Sequence, residues 1–436
     1  MSTKRTTQIL PVHRLNEEGP GTKSLSEWWA DERSRGTPEA AAVAKAAETL
    51  RTTDVPVAFP TETVYGLGAD ATRSDAVQGI YKAKQRPSDN PLIVHVDSLD
   101  MLQRILNPSE ETYPDAAASE QSLIPPIYQP LIAKFWPGPL TIILPNPPNS
   151  VLAKEVTSNL STFGVRMPSS PFARLLIHVA DRPLAAPSAN ASTKPSPTAA
   201  QHVYHDLNGR IDLILDGGPC GVGVESTVVD GLSNPPAILR PGGVGLEELR
   251  QCPGWENVVI GYHDGSLDVK EAPRAPGMKY RHYSPRAKVV LFEPGSNPES
   301  VANRVRKDLQ NSAVGAHNIG IVRTRNWGKY LGLNKGYESS ERTREELETK
   351  KALDLFKMPV EDACSGSPKT ILKEVYDYPL GSDVESIARG LFSALRTLDS
   401  IGVEIIYVEG IADDEGDLSA AVMNRLRKAA EAEIKA

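Results

Sequence analysis

Lys84 and Arg86 stand two residues apart just before Pro87, and with them chemistry first becomes readable in this 436-residue chain. Arginine grips phosphate or carboxylate oxygens through two parallel N–H groups, and lysine acts as a point charge. Taken alone, Lys-x-Arg also reads as a solvated helix end, because cations there are favoured by the helix dipole. Pro187-Ser188-Ala189-Asn190 offers a hydroxyl and a carboxamide that can orient phosphate oxygens or metal-bound water, or simply cap a turn. Glu225-Ser226-Thr227 follows a Gly-Val-Gly-Val run, where its hydroxyls can meet a small polar ligand or merely start a strand. Arg166 and Arg240 each close an apolar run, a place for an anion grip or for a surface ion pair. His95, between Val94 and Val96, reads by itself as an ordinary core histidine. The sequence has no Walker-type GxxxxGK, no dinucleotide GxGxxG between strand and helix, no HExxH and no GxSxG.

These side chains need elements to hold them. The run Val55 to Phe59, ended by Pro60, predicts a buried strand. Thr61, Glu62, Thr63 and the glycine-spaced Tyr65 to Gly68 follow at its end. Ser74 and Asp75 predict the start of a helix reaching Lys84, and Leu92 to Val96 a second strand. Hydroxyls, a carboxylate, cations and a histidine thus gather at the ends of strands and a helix, where α/β sheets bind ligands. Further helices are expected from Pro38 to about Arg51, after Asp97 to about Leu106, over Leu131 to Phe135, and from Ser170 to about Ala180. Strands are expected near 140–144, 162–165, 184–186, 211–215 and 227–229. Residues 216–218 and 240–243 read as tight turns.

The length exceeds one ordinary core, so two domains are expected. Hydrophobic residues at 40% and charged residues at 24% are ordinary globular values. The net charge of −7 creates no global field for nucleic acid, so any RNA contact has to be local. Cys220, Cys252 and Cys364 are far apart and form no CxxC pair, which speaks for neither zinc nor a disulfide framework and fits a reducing compartment. No apolar run is long enough to cross a bilayer, so no membrane is expected. The basic start lacks the apolar core of a secretory signal. The cytoplasm is the expected compartment, with a mitochondrial pool left open because the first acidic residue is Glu17. Residues 1–37 read as a loosely ordered lead-in and 107–129 as a polar surface insertion. Residues 262–287 read as a linker, unusually aromatic through Tyr280, His282 and Tyr283. From 288 a second, small doubly wound α/β pattern begins, with 330–350 charged and exposed.

Together the motifs resemble one family. PTETVYGLG at Pro60 to Gly68, KxRPxxNPLIVHV at Lys84 to Val96, FWPGPLT at Phe135 to Thr141, VRMP at Val165 to Pro168, PSAN at Pro187 to Asn190, EST at Glu225 to Thr227 and RPG at Arg240 to Gly242 occur in that order. The chain is similar to the YrdC/Sua5 family of threonylcarbamoyl-AMP synthases. VMNRLRKA at Val422 to Ala429 resembles the C-terminal Sua5 domain, which points to the long Sua5 form, and the lead-in and insertion to a eukaryotic, fungal one. The resemblance implies a YrdC-like twisted open α/β sheet domain over 38–261, behind the 1–37 lead-in. A linker or lid over the active site follows at 262–287, and a smaller Rossmann-like α/β Sua5 C-terminal domain at 288–436.

It also implies an activity. A nucleotidyltransferase of this family makes threonylcarbamoyl-adenylate from L-threonine, bicarbonate and ATP, releases diphosphate, and so supplies N6-threonylcarbamoyladenosine (t6A) modification of tRNA. The product passes to a downstream tRNA threonylcarbamoyltransferase. By motif match, Lys84, Arg86, Ser188 and Asn190 are the implied catalytic residues. Arg86, Asn90, Thr162, Ser188, Ser196, Arg240 and Tyr283 are implied around ATP. Thr63, His95, Arg166, Ala186 and Ser226 are implied around threonine. Mg²⁺ is expected with the ATP phosphates, and no protein metal site. The alternative reading is a regulatory protein binding double-stranded RNA or tRNA through the YrdC fold. A HypF-type carbamoyl-adenylate enzyme should bring acylphosphatase and CxxC segments, which the sequence lacks.

Overall fold

The computed structural model describes residues 5–87, 90–108, 123–262, 282–310, 318–333, 354–362, 369–416 and 418–435. The chain divides into two units, 1–280 and 281–436.

In the first unit, short runs rich in β-branched residues, leucine and alanine form strands, buried in the middle of the sheet and largely exposed at its two edges. These are β1 (Gln8–Pro11), β2 (Val57–Phe59), β3 (Gly66–Asp70), β4 (Ile93–His95), β5 (Leu140–Pro145), β6 (Thr162–Arg166), β7 (Leu184–Ala185), β8 (Leu213–Asp216), β9 (Thr227–Asp230), β10 (Ala237–Arg240) and β11 (Val259–Ile260). They join into one mixed sheet in the order β1-β8-β2-β3-β7-β4-β6-β5-β9-β10-β11. Residues of β2, β3 and β4 are buried throughout, as expected of strands covered on both faces. Pro38–Thr52 and Pro171–Ala180 are helices packed against each other, each opened by a hydroxyl cap and a proline in the first turn. Thr37 accepts from the Ala40 N–H and Ser170 from the Ala173 N–H.

Three expectations change and one element is added. The lead-in is not loose. β1 pairs in parallel with β8, Val12 and Leu15 are fully buried, and Leu25–Arg35 is a helix with a capping box from Ser24 and Glu27. The 107–129 insertion is surface only in part. Residues 109–122 lie outside the described residues, but Tyr128 is fully buried and donates to the Ile143 carbonyl at 2.5 Å. The glycine-spaced stretch after Thr63, given no element of its own in the sequence, is strand β3. Glycine serves there because the Phe59 ring of β2 lies across it: a Cβ on Gly68 would be 2.7 Å from Phe59 Cε1. Finally, Arg240 is the last residue of β10, not the first of a turn.

The second unit contains β12 (Lys288–Phe292), β13 (Ile319–Arg323), β14 (Asp354–Asp362), β15 (Lys369–Pro379), β16 (Ile405–Glu409) and β17 (Ala432–Ile434), ordered β14-β15-β13-β16-β12-β17. All neighbours are parallel except the β14–β15 pair, so this is the expected doubly wound sheet with an added antiparallel edge. Pro359 is tolerated because β14 is that edge. Helices Pro298–Gln310, Val384–Ser400 and Ser419–Ala429 supply the crossovers. The stretch expected to be exposed from 330 begins with buried Tyr330 and Leu331, and 334–350 lie outside the described residues. No helix among the described residues is long and apolar enough to cross a membrane.

Candidate active site

β4 and β6 run side by side in parallel, with Ile93 opposite Gly164 and His95 opposite Arg166. β7 runs antiparallel to β4, placing Leu184 against His95 and Ala185 against Val94. This register sorts the candidate residues. His95 and Arg166 share the C-terminal end of the pair. Ala186 comes next, its N–H on the Ile93 carbonyl at 3.0 Å. Asn90 and Thr162 lie at the N-terminal end. The candidates therefore run along the strands instead of gathering at one strand end.

At the C-terminal end Arg166 is buried. Its Nη1–H donates to Thr63 Oγ1 at 2.9 Å, its Nε–H to the Gly138 carbonyl at 3.1 Å, and its Nη2–H to Glu62 Oε1. Thr63 Oγ1 also shares a hydrogen bond with Thr61 Oγ1 at 2.8 Å. Burial alone would raise the Glu62 carboxyl, but Arg166 and backbone N–H groups hold it below the usual carboxylate range. His95 is fully enclosed, with Nδ1 3.2 Å from the Ile93 carbonyl. Burial first, then the Arg166 charge, push its pKa down to about 3. It is a neutral imidazole at working pH.

Near the other end Lys84, the last residue of helix Ser74–Lys84, points its buried ammonium into the 187–190 loop. It donates to the Ser188 carbonyl, to the Asn190 carbonyl at 2.8 Å and to Asn190 Oδ1 at 3.4 Å. Ser188 Oγ donates to the same Asn190 Oδ1 at 2.6 Å. So Lys-x-Arg and Ser-x-Asn, a hundred residues apart in the chain, form one knot. Arg86 is half-buried and reaches the Asn90 carbonyl at 3.5 Å. Asn90 itself is buried, and its Oδ1 has no hydrogen-bond partner among the described residues.

A third group sits where β5, β9 and β10 meet. Arg240 is buried and gives Nε–H and Nη2–H to the Ser226 carbonyl at 3.0 and 2.9 Å, and Nη2–H to Ser226 Oγ at 3.0 Å. Ser226 Oγ meets Thr141 Oγ1 at 2.8 Å, and Ser196 Oγ donates to Glu225 Oε1 at 2.5 Å. Gly242 rests on this segment: a Cβ there would lie 2.3 Å from Glu225 O, Ser226 C and Thr227 N. Tyr283 belongs to the second unit, buried with its ring 5.2 Å from Phe392 and with Arg425 Cζ 5.7 Å from its centroid. The linker residues 263–281, including Tyr280, lie outside the described residues.

Glu62, Thr61, Thr141 and Glu225 had no assigned role from sequence. Each touches a residue that did, and all four lie within the motifs already singled out. Their signal is position inside a motif; Glu62, Thr141 and Glu225 stay hidden because their partners are remote in the chain, whereas Thr61 meets Thr63 two residues away.

Residues 50–242 match a family model described as telomere recombination, covering Sua5, YciO and YrdC proteins. Residues 244–431 match one described as the threonylcarbamoyl-AMP synthase C-terminal domain. The chain is 47% identical over 406 residues to the threonylcarbamoyl-AMP synthase of Schizosaccharomyces pombe, covering 89% of this chain and 88% of that one. It is 40% identical over 400 residues to the Bacillus subtilis threonylcarbamoyl-AMP synthase, covering 92% and 95%. The crystal structure of P. abyssi Sua5 complexed with L-threonine superposes with a TM-score of 0.66 at 38% identity, covering 90% and 96%. With a shared fold, both family domains in order and close identity over nearly the whole length, this chain belongs to the threonylcarbamoyl-AMP synthase family in its two-domain Sua5 form.

Proposed function

We propose that this chain joins L-threonine, bicarbonate and ATP into threonylcarbamoyl-adenylate and releases diphosphate. The observation that carries this reading is the Arg166 end of the β4–β6 pair. A buried guanidinium, the Thr63 hydroxyl and an uncharged imidazole there suit the carboxylate and hydroxyl of a small amino acid. The reaction forms a carbamate as the threonine amine bonds to the bicarbonate carbon and a C–O bond there breaks with loss of water. A carbamate oxygen then attacks the α-phosphorus, its bond to the bridging oxygen breaks, and diphosphate departs. No protein nucleophile is needed, only positioning and charge neutralisation. The knot of Lys84, Ser188 and Asn190, with Arg86, Asn90 and Thr162, is assigned to the nucleotide, and Ser196 and Arg240 to its surroundings. Ser226, bonded to Arg240 and set between it and Thr141, links the two halves of the site. Mg²⁺, the expected companion of ATP, would sit on the phosphate oxygens, the ligands it prefers. Bound there, it would neutralise charge on the leaving diphosphate. Buried thiols at Cys220 and Cys252 fit a reducing cytoplasm. The product, a mixed anhydride, calls for a tRNA threonylcarbamoyltransferase to consume it and yield t6A.

The test is to incubate the protein with ATP, bicarbonate and each amino acid in turn, and to measure diphosphate. Release that depends on threonine is the expected result. Release that is absent, or indifferent to the amino acid, overturns the reading.

A further inference from the structure

We propose that Glu62 is a positioning residue for the substrate carboxylate, acting through Arg166 and anchored from the N-terminal segment; this rests on the threonine-binding reading above. A guanidinium carries five N–H donors. Among the described residues Arg166 spends three on the protein: Nε–H on Gly138 O, Nη1–H on Thr63 Oγ1 and Nη2–H on Glu62 Oε1. One donor is left on each terminal nitrogen. One N–H on each terminal nitrogen is what a fork-like, bidentate grip on a carboxylate requires. The aim of that fork depends on the three acceptors that fix the guanidinium plane. Two are short, stiff groups, a backbone carbonyl and a threonine hydroxyl. The third, Glu62, hangs on a flexible side chain and needs an anchor of its own.

The anchor leads to a part of the chain remote from the site. Glu62 Oε2 faces the Ser170 N–H at 3.4 Å. Ser170 Oγ donates to Asn16 Oδ1 at 2.9 Å, and Asn16 Nδ2 donates to the Gly217 carbonyl at 3.0 Å. Asn16 belongs to the short helix His13–Glu18, directly after edge strand β1. The N-terminal segment therefore reaches the substrate end of the site through Asn16, Ser170 and Glu62. Because Glu62 acts by accepting a hydrogen bond, a neutral acceptor of the same shape should replace it.

The experiment is steady-state kinetics on the full-length protein, with threonine varied at saturating ATP and ATP varied at saturating threonine. Glu62→Ala should raise the KM for threonine about tenfold or more, with kcat and the KM for ATP within about twofold of wild type. Glu62→Gln keeps an oxygen for Nη2–H and should bring the threonine KM back to within about threefold of wild type. Asn16→Ala, two links out, should raise it about threefold, and answers the question if Glu62→Ala does not fold. An unchanged threonine KM in Glu62→Ala or Asn16→Ala overturns the proposal. So does a loss shared equally by ATP and threonine, or a Gln variant as impaired as the Ala variant. Wild-type protein without threonine-dependent diphosphate release would sink the reaction itself, a different failure.

Discussion

Replacing Arg166 by lysine keeps one positive charge and discards the fork. A lysine cannot serve Gly138, Thr63, Glu62 and a bidentate carboxylate at once. Arg166→Lys should therefore raise the threonine KM by about tenfold to a hundredfold, read as threonine-dependent diphosphate release. A variant saturating at wild-type threonine would take Arg166 out of the binding site. His95 supports a prediction of another kind. Its folded pKa, about 3, lies below the ordinary value of about 6.5, so the folded state binds fewer protons than the unfolded one. Its contribution to stability is fully present above about pH 6.5 and is lost as pH falls toward 3. Wild type should thus lose urea stability more steeply than His95→Gln between about pH 6.5 and pH 4. Parallel curves would show that the ring is not held neutral. In the sequence this histidine read as core, and it is core; its register opposite Arg166, which puts it beside the site, depends on a strand 70 residues later and could not be seen locally.

At the level of elements, Gly242 tests how closely two loops are fitted. Alanine there would put a methyl group 2.3 Å from the backbone of Glu225, Ser226 and Thr227. Since backbone cannot turn aside as a side chain can, Gly242→Ala should cost about 3 kcal/mol or more in urea unfolding. It should also reduce diphosphate release, because Ser226 and the Arg240 bonds move with that segment. Wild-type stability and activity would show the loops to be loosely fitted. The same closeness explains which elements could be read in advance. Helices such as Pro38–Thr52 and Pro171–Ala180 announce themselves through a cap, a proline and a periodic apolar face. Strand β3 did not, because Gly66 and Gly68 answer to the Phe59 ring on a neighbouring strand, while local sequence rules read paired glycines as a turn. β1 escapes local rules for a related reason: its four residues are largely exposed, and only pairing with β8, two hundred residues on, makes them a strand.

For the molecule as a whole, the N-terminal segment is structural. Removing residues 1–18 would strip β1 from β8 and bare a sheet edge. It would also take away buried Val12 and Leu15, worth about 2 kcal/mol each, and the Arg14 partner of the enclosed Glu32 carboxylate. A fall in Tm of about 10 °C is expected, at roughly 2–4 °C per kcal/mol. An unchanged melting curve would return the segment to a dispensable lead-in. The two-unit division was visible in the sequence as a repeat of the strand–helix pattern after a proline-rich gap, since doubly wound units are periodic along the chain. The order of the eleven strands was not visible, because neighbours such as β3 and β7 or β5 and β9 are separated by most of a domain.

The parallel register of β4 and β6 has a further consequence. Thr162 and Arg166 stand four residues apart on one straight strand, about 13 Å at the usual rise. A sheet held by backbone bonds on both sides does not stretch, so this spacing acts as a ruler. If the nucleotide and the amino acid lie at its two marks, the protein selects by span as well as by chemical group. Side chains along the strands can then change in the course of evolution and alter preference, while the distance between adenylate and amino acid stays set by the backbone.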